Sequence, residues 1–256
     1  MIPISDDNPT LRTPVVTYLL LGAILSTWVF VQGAGMSTLK LADSVCRLGM
    51  IPLELTGRLE LPAILKLQEG LSCGVNNAPF NKLTPITSMF LHGGWMHLLG
   101  NCLFFWVFGN NVEDSMGRLR FLIFYVLCGL AAAGAQVLVD PASPLPMVGA
   151  SGAISGVMGA YLVLYPRVRV NMLFILFIFI QIWPIPAWAV LLWWFAVQVI
   201  GGLPQLMSVE AVSGGVAFWA HVGGFVAGLL LIKLFQNPRL TSRRTQWRHR
   251  LHPDHP

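Results

Sequence analysis

VAFWAHVGGFVAGLLLIKLF, residues 216–235, is a run of twenty residues with one histidine near its start and one lysine near its end. A helix of about 20 residues rises roughly 30 Å, the thickness of a bilayer's hydrocarbon core. A helix packed on a soluble core carries a polar face at a spacing of three or four residues, and this stretch has none. It reads as a membrane span, and five comparable runs lie upstream: Val15 to Gly33, His92 to Phe108, Phe121 to Val139, Gly149 to Tyr165 and Ala187 to Gly201. The composition agrees. Of 256 residues, 55% are hydrophobic and 11% charged, with a mean hydropathy of +0.67, whereas a soluble domain carries about 25% charged residues. A soluble enzyme or a disordered chain is excluded. The net charge of +5 does not imply nucleic acid, because the cations sit at the ends of apolar runs and in the tail.

The expected architecture is therefore an all-α membrane protein of six spanning helices with a long outward-facing first loop, in contact with the lipid bilayer. Residues 1–14 form an N-terminal segment, 15–235 the membrane domain with its first loop at about 34–86, and 236–256 a basic tail. The first sixteen residues have no cationic leader and no small-residue cleavage site, so the first run is expected to stay as an anchor. Arg118 and Arg120 follow the second run, Arg167 and Arg169 the fourth, and Lys233 with five arginines from Arg239 onward the sixth. The gaps after the third and fifth runs hold no Lys or Arg. By the positive-inside rule both termini are cytoplasmic. The first loop, with stretches such as LELPAILKLQEGL (59–71), is expected to hold short amphipathic helices. Asn171 to Ile182 is as apolar as a span, but Pro184 and Pro186 interrupt it, so it reads as a separate buried or re-entrant piece. Cys102 and Cys128 lie in apolar runs. Cys46 and Cys73 share the outward loop, which leaves a bridge between them open.

Polar residues inside a bilayer are costly and demand a reason. Here they are His92, His97, Asn101, Ser151, Ser155 and His221. His97 and Asn101 are four apart and share one helical face. Ser151 starts the fourth run and His221 stands early in the sixth. The second, fourth and sixth runs point the same way across the membrane, so His97 and His221 lie at matched depths, roughly 7 to 10 Å below the outer end. Gly152, Gly156 and Ala160 form one small-residue stripe and Ala220, Gly224 and Gly228 another, which allows close backbone approach. If the stripes face each other, Ser151 meets His221. A serine hydroxyl needs a neighbouring base to become a nucleophile. No acid is placed to complete a triad, so the pattern is a Ser-His dyad with His97, the Asn101 amide and the Ser151 N–H available to an oxyanion. Singly, Ser151 reads as a packing residue and His221 as an interhelical hydrogen bonder. Together they read as chemistry.

The motifs HGGWMHLLGN (92–101), GASG (149–152) and AHVGGFVAG (220–228), in this order on alternate runs, resemble those of the rhomboid intramembrane serine proteases. The resemblance covers roughly Thr87 to Phe235. It implies Ser151 as nucleophile, His221 as base, and His97 with Asn101 as oxyanion donors. It also implies a single-span membrane protein as substrate, cleaved near the outer face. The competing class is a catalytically silent relative that binds transmembrane helices as a chaperone or adaptor. The family often has an aromatic residue four positions after the nucleophile, against the base; Ser155 stands there. A Trp-Arg pair common in the first loop is absent near Leu83 and Thr84. No metal or cofactor is expected: a zinc site of His92, His97 and His221 would lack both HExxH spacing and a carboxylate. Asn171, Gln181 and Gln198 read as helix–helix hydrogen bonders or interface caps, and Trp183, Trp188, Trp193 and Trp194 as an interfacial belt. A bacterial inner membrane is the expected location; substrate identity and oligomeric state are not legible.

Overall fold

The computed structural model describes residues 2–58, 63–68, 71–76, 78–176, 179–206 and 216–241. The connection 207–215, with Glu210, and the tail from residue 242 onward lie outside the described residues. A short strand β1 (Ile2–Asp6) precedes α1 (Val15–Ser26), which continues as a wider helical turn over Thr27–Val31. The first loop holds α2 (Thr38–Leu48), α3 (Pro52–Leu55), strands β2 (Ala63–Gln68) and β3 (Leu71–Val75), and α4 (Thr84–Thr87). Then come α5 (Trp95–Met116), α6 (Arg118–Val139), α7 (Ser151–Leu164), strands β4 (Arg169–Leu176) and β5 (Phe179–Pro186), α8 (Ala187–Leu206) and α9 (Phe218–Phe235).

All six expected runs contain helix. Among the described residues three helices, α6, α8 and α9, are long and apolar enough to cross a membrane, while Val15–Val31 and Ser151–Leu164 are shorter apolar helices. The 22-residue α5 is long enough but carries Asn110, Asn111, Glu113 and Asp114 in its second half. It turns into α6 through Gly117 alone, at φ +88, a left-handed conformation that favours glycine.

Two sequence expectations are corrected. The chain is mostly but not wholly helical: residues 171–176 and 179–182 belong to the hairpin β4–β5, and β1 adds to it in the antiparallel order β1-β4-β5. The β-branched and aromatic run VNMLFIL suits a strand as well as a buried helix. Pro184 and Pro186, which lack an N–H, sit on the edge strand β5, where a missing donor costs least. In the first loop α2 is amphipathic as expected, with the Ser37 hydroxyl accepting from the Lys40 N–H at its start. The LELPAILKLQEGL stretch instead supplies β2 and part of β3, which pair antiparallel.

Cys46 of α2 and Cys73 of β3 are joined by a disulfide across 27 positions. Closing a loop of that length restricts the unfolded chain by about 3 to 4 kcal/mol. Cys73→Ser is therefore expected to lower the thermal midpoint in detergent, and reductant to do the same to the wild type but not to the variant. The first loop is also tied to the α6–α7 connection, where Met50 and Met147 exchange both backbone hydrogen bonds. The opposite end of the bundle is fastened by acids. Glu113, buried, accepts from the N–H groups of Val16 and Thr17 at 3.0 and 2.8 Å and from the Thr17 hydroxyl at 2.8 Å. A carboxylate at the start of α1 meets unpaired donors and the positive end of the helix dipole. Asp114 meanwhile pairs with Arg12 at 3.0 Å. Glu113→Ala is expected to cost about 3 kcal/mol, since it strands buried donors, and Glu113→Gln to recover part of that in the same melting assay.

The core is built around α7, which packs against α5, α6 and α9. The two small-residue stripes do face each other. A Cβ placed on Gly224 would run into the carbonyl oxygen of Gly152, and one on Gly228 into that of Gly156. Gly156 in turn lies against Cys128 of α6.

Candidate active site

Ser151 is the first residue of α7, so its N–H has no helical acceptor one turn back. The segment before it is held firmly: the Gly149 N–H donates to the Ser88 carbonyl at 2.9 Å. Gly149 has φ +130, and a side chain there would also meet the His97 ring, with Nε2 2.7 Å from the Cβ position. Glycine at this point of GASG thus serves both the turn and the approach of His97.

The close contact of α7 with α9 brings His221 Nε2 to 2.8 Å from Ser151 Oγ. That is the pair expected from the sequence, at hydrogen-bonding distance and 70 residues apart. His97 Nδ1 accepts from the Gly93 N–H at 3.3 Å, which leaves the proton of a neutral ring on Nε2, the nitrogen turned toward Gly149. Asn101 is buried, and its amide nitrogen has no partner among the described residues. A buried, unpaired N–H donor is costly unless something arrives to use it. His97, Asn101, Ser151 and His221 all line one cavity of about 750 Å³. Its volume is that of a small-molecule or side-chain site.

His92 stands outside this group. Its backbone is clamped by Gln32, whose Oε1 accepts from the His92 N–H and whose Nε2 donates to the His92 carbonyl, both at 2.8 Å. Its ring lies edge-on to His97 at 5.1 Å. Ser155 donates to the Ser151 carbonyl at 2.6 Å, a helix-internal bond that fits a packing role.

Two residues that touch His221 were not among the site residues expected from the sequence. Gln198 of α8 does bond between helices, but its partner is His221: Oε1 lies 2.8 Å from Nδ1. Trp194, grouped with the belt, instead turns inward and lies 5.8 Å from the His221 ring, centroid to centroid. Trp183, Trp188 and Trp193 are exposed as a belt requires. The spacing of four between Trp194 and Gln198 was the available signal, since it puts both on one face of a helix. Asn171 bonds Ser5 and Asp7 across the sheet, and Gln181 is exposed on β5.

Long apolar helices, glycine-mediated backbone contact and a serine–histidine pair beside a cavity define a helical integral membrane protein. The chain belongs to the rhomboid family: the Rhomboid domain profile matches residues 81–237, more than half of its length. It is 31% identical over 150 residues to the putative rhomboid protease YdcA of Bacillus subtilis, covering 58% of this chain and 61% of that one. It is 44% identical over 80 residues to the rhomboid protease GluP of the same organism, 31% of this chain and 15% of the relative. It is 29% identical over 156 residues to the mitochondrial rhomboid protein 1 of Saccharomyces cerevisiae, 59% and 41%. The matched stretch spans less than two thirds of each of these relatives.

Proposed function

We propose that the protein is an intramembrane serine endopeptidase that hydrolyses a peptide bond in or near the transmembrane helix of a single-span membrane protein. The observation that carries this reading is the 2.8 Å contact between Ser151 Oγ and His221 Nε2 beside the cavity. Family membership supports it, since the similar GluP of Bacillus subtilis is named a rhomboid protease.

In this mechanism His221 Nε2 takes the Ser151 proton as Oγ attacks the scissile carbonyl. The developing oxyanion is met by His97 Nε2–H, the Asn101 amide and the Ser151 N–H, all from residues that line the cavity. His221 then returns the proton to the leaving amine, and a water attacks the acyl-enzyme by the same route in reverse. We read the helices as six spans with α5, α7 and α9 descending from the outer face. The first loop then faces outward and both termini inward, in a bacterial inner membrane. The disulfide in the first loop agrees with an oxidising outer side.

The test is to treat purified protein in detergent with a fluorophosphonate, locate the adduct by mass spectrometry, and assay cleavage of several single-span substrates. Labelling at Ser151 together with cleavage is expected. A folded wild type that neither labels nor cleaves would sink the protease reading in favour of a helix-binding adaptor.

A further inference from the structure

Both ring nitrogens of His221 are engaged, Nε2 with Ser151 and Nδ1 with Gln198 Oε1, each at 2.8 Å. A glutamine can present either end of its amide, so what fixes its orientation decides what it does to the ring. The Gln198 NH₂ group donates to the carbonyl of Trp194, one turn earlier in α8, at 3.4 Å. The oxygen is thereby left for His221, and it can only accept. Nδ1 must then carry the proton, and Nε2 presents its lone pair to the Ser151 hydroxyl. Gln198 is 7% exposed, so water competes little for this bond. Trp194 closes the same corner: its ring is tilted against those of His221 and Phe225, at centroid separations of 5.8 and 6.0 Å. Position 155 offers the base no aromatic ring, since that residue is Ser155, bonded within its own helix.

We infer that Gln198 is a positioning residue of the site, a neutral third member that holds the base in the Nδ1–H tautomer while Trp194 fixes the plane of its ring. The inference rests on the reading of Ser151 as nucleophile and His221 as base. A carboxylate in this place would add charge stabilisation of the imidazolium at the cost of burying an anion within the bundle. An amide sets the tautomer without that burden. Among the described residues no carboxylate hydrogen bonds His221, so α8 supplies the orienting part of a third acid's role without its charge.

The test uses the full chain in detergent micelles with ring-¹⁵N-labelled histidine and the variants Gln198→Leu and Gln198→Glu. Gln198→Leu is expected to slow fluorophosphonate labelling of Ser151 and to lower kcat roughly 10- to 100-fold, a share of the about 10²- to 10⁴-fold that a positioned base supplies. KM should stay within about twofold, because no substrate contact is removed. The His221 ¹⁵N resonances, assigned by their loss in His221→Ala, should move from the Nδ1–H pattern to a mixture of tautomers. Gln198→Glu keeps an acceptor oxygen on Nδ1–H and should restore the pattern and most of the rate. Should Gln198→Leu fail to fold, Gln198→Met, similar in length, carries the same expectation. A reactive wild type whose Leu or Met variant labels as fast, with the tautomer unchanged, would overturn this inference alone. A wild type that never reacts would overturn the protease reading and this inference with it.

Discussion

Alanine at Ser151 or at His221 is expected to lower kcat/KM for a single-span substrate by on the order of 10⁴-fold or more, with the double variant no worse than the weaker single one. Without Oγ no acyl-enzyme can form. Without His221 the hydroxyl stays in place, but its proton has no acceptor at 2.8 Å. The two groups act as one unit, so their effects should not add. Both side chains are half-buried at the cavity, and neither is part of the packed core. The thermal midpoint should therefore move by no more than a few degrees, about the effect of 1 kcal/mol in a domain of this size. Steady-state cleavage with each variant, alongside a melting curve, separates the two effects. Retention of more than about a tenth of wild-type activity in a folded Ser151→Ala variant would remove Ser151 from the chemistry.

Gly228→Leu should produce the largest loss of stability. The position has no room for a methyl group, because the carbonyl oxygen of Gly156 already occupies it. Gly224 stands in the same relation to Gly152. Relief requires α7 and α9 to separate, and flexible side chains cannot absorb the strain because the obstacle is backbone. Overpacking of this kind costs roughly 3 kcal/mol or more. Separation of the same two helices would also pull His221 away from Ser151, so activity should fall with stability. Gly134→Ala is the matched control. Its Cβ would meet nothing within 4 Å, and on the exposed side of α6 the change should be neutral or gain up to about 1 kcal/mol of helix propensity. Melting both variants in the same detergent decides it: equal midpoints for Gly228→Leu and wild type would refute the glycine contact.

Sequence alone determined the membrane class, because hydrocarbon thickness and the expense of charge act on composition and run length without reference to the fold. It also determined the candidate residues. His97, Asn101, Ser151 and His221 stood out because a polar side chain in an apolar run needs a reason, and helical spacing put His97 and Asn101 on one face. The glycine stripes were legible in the same way, since a spacing of four is a local property. Tertiary structure decided the rest. The apolar stretch after α7 could be strand or helix by pattern alone, and its backbone groups find their partners within the β4–β5 hairpin and in β1, more than 160 residues earlier. Gln198 and Trp194 looked like any polar residue and any tryptophan of an apolar helix. Their meaning lies 23 and 27 residues away on α9, and contacts of that kind exist only once α8 has packed against it, which no local periodicity encodes.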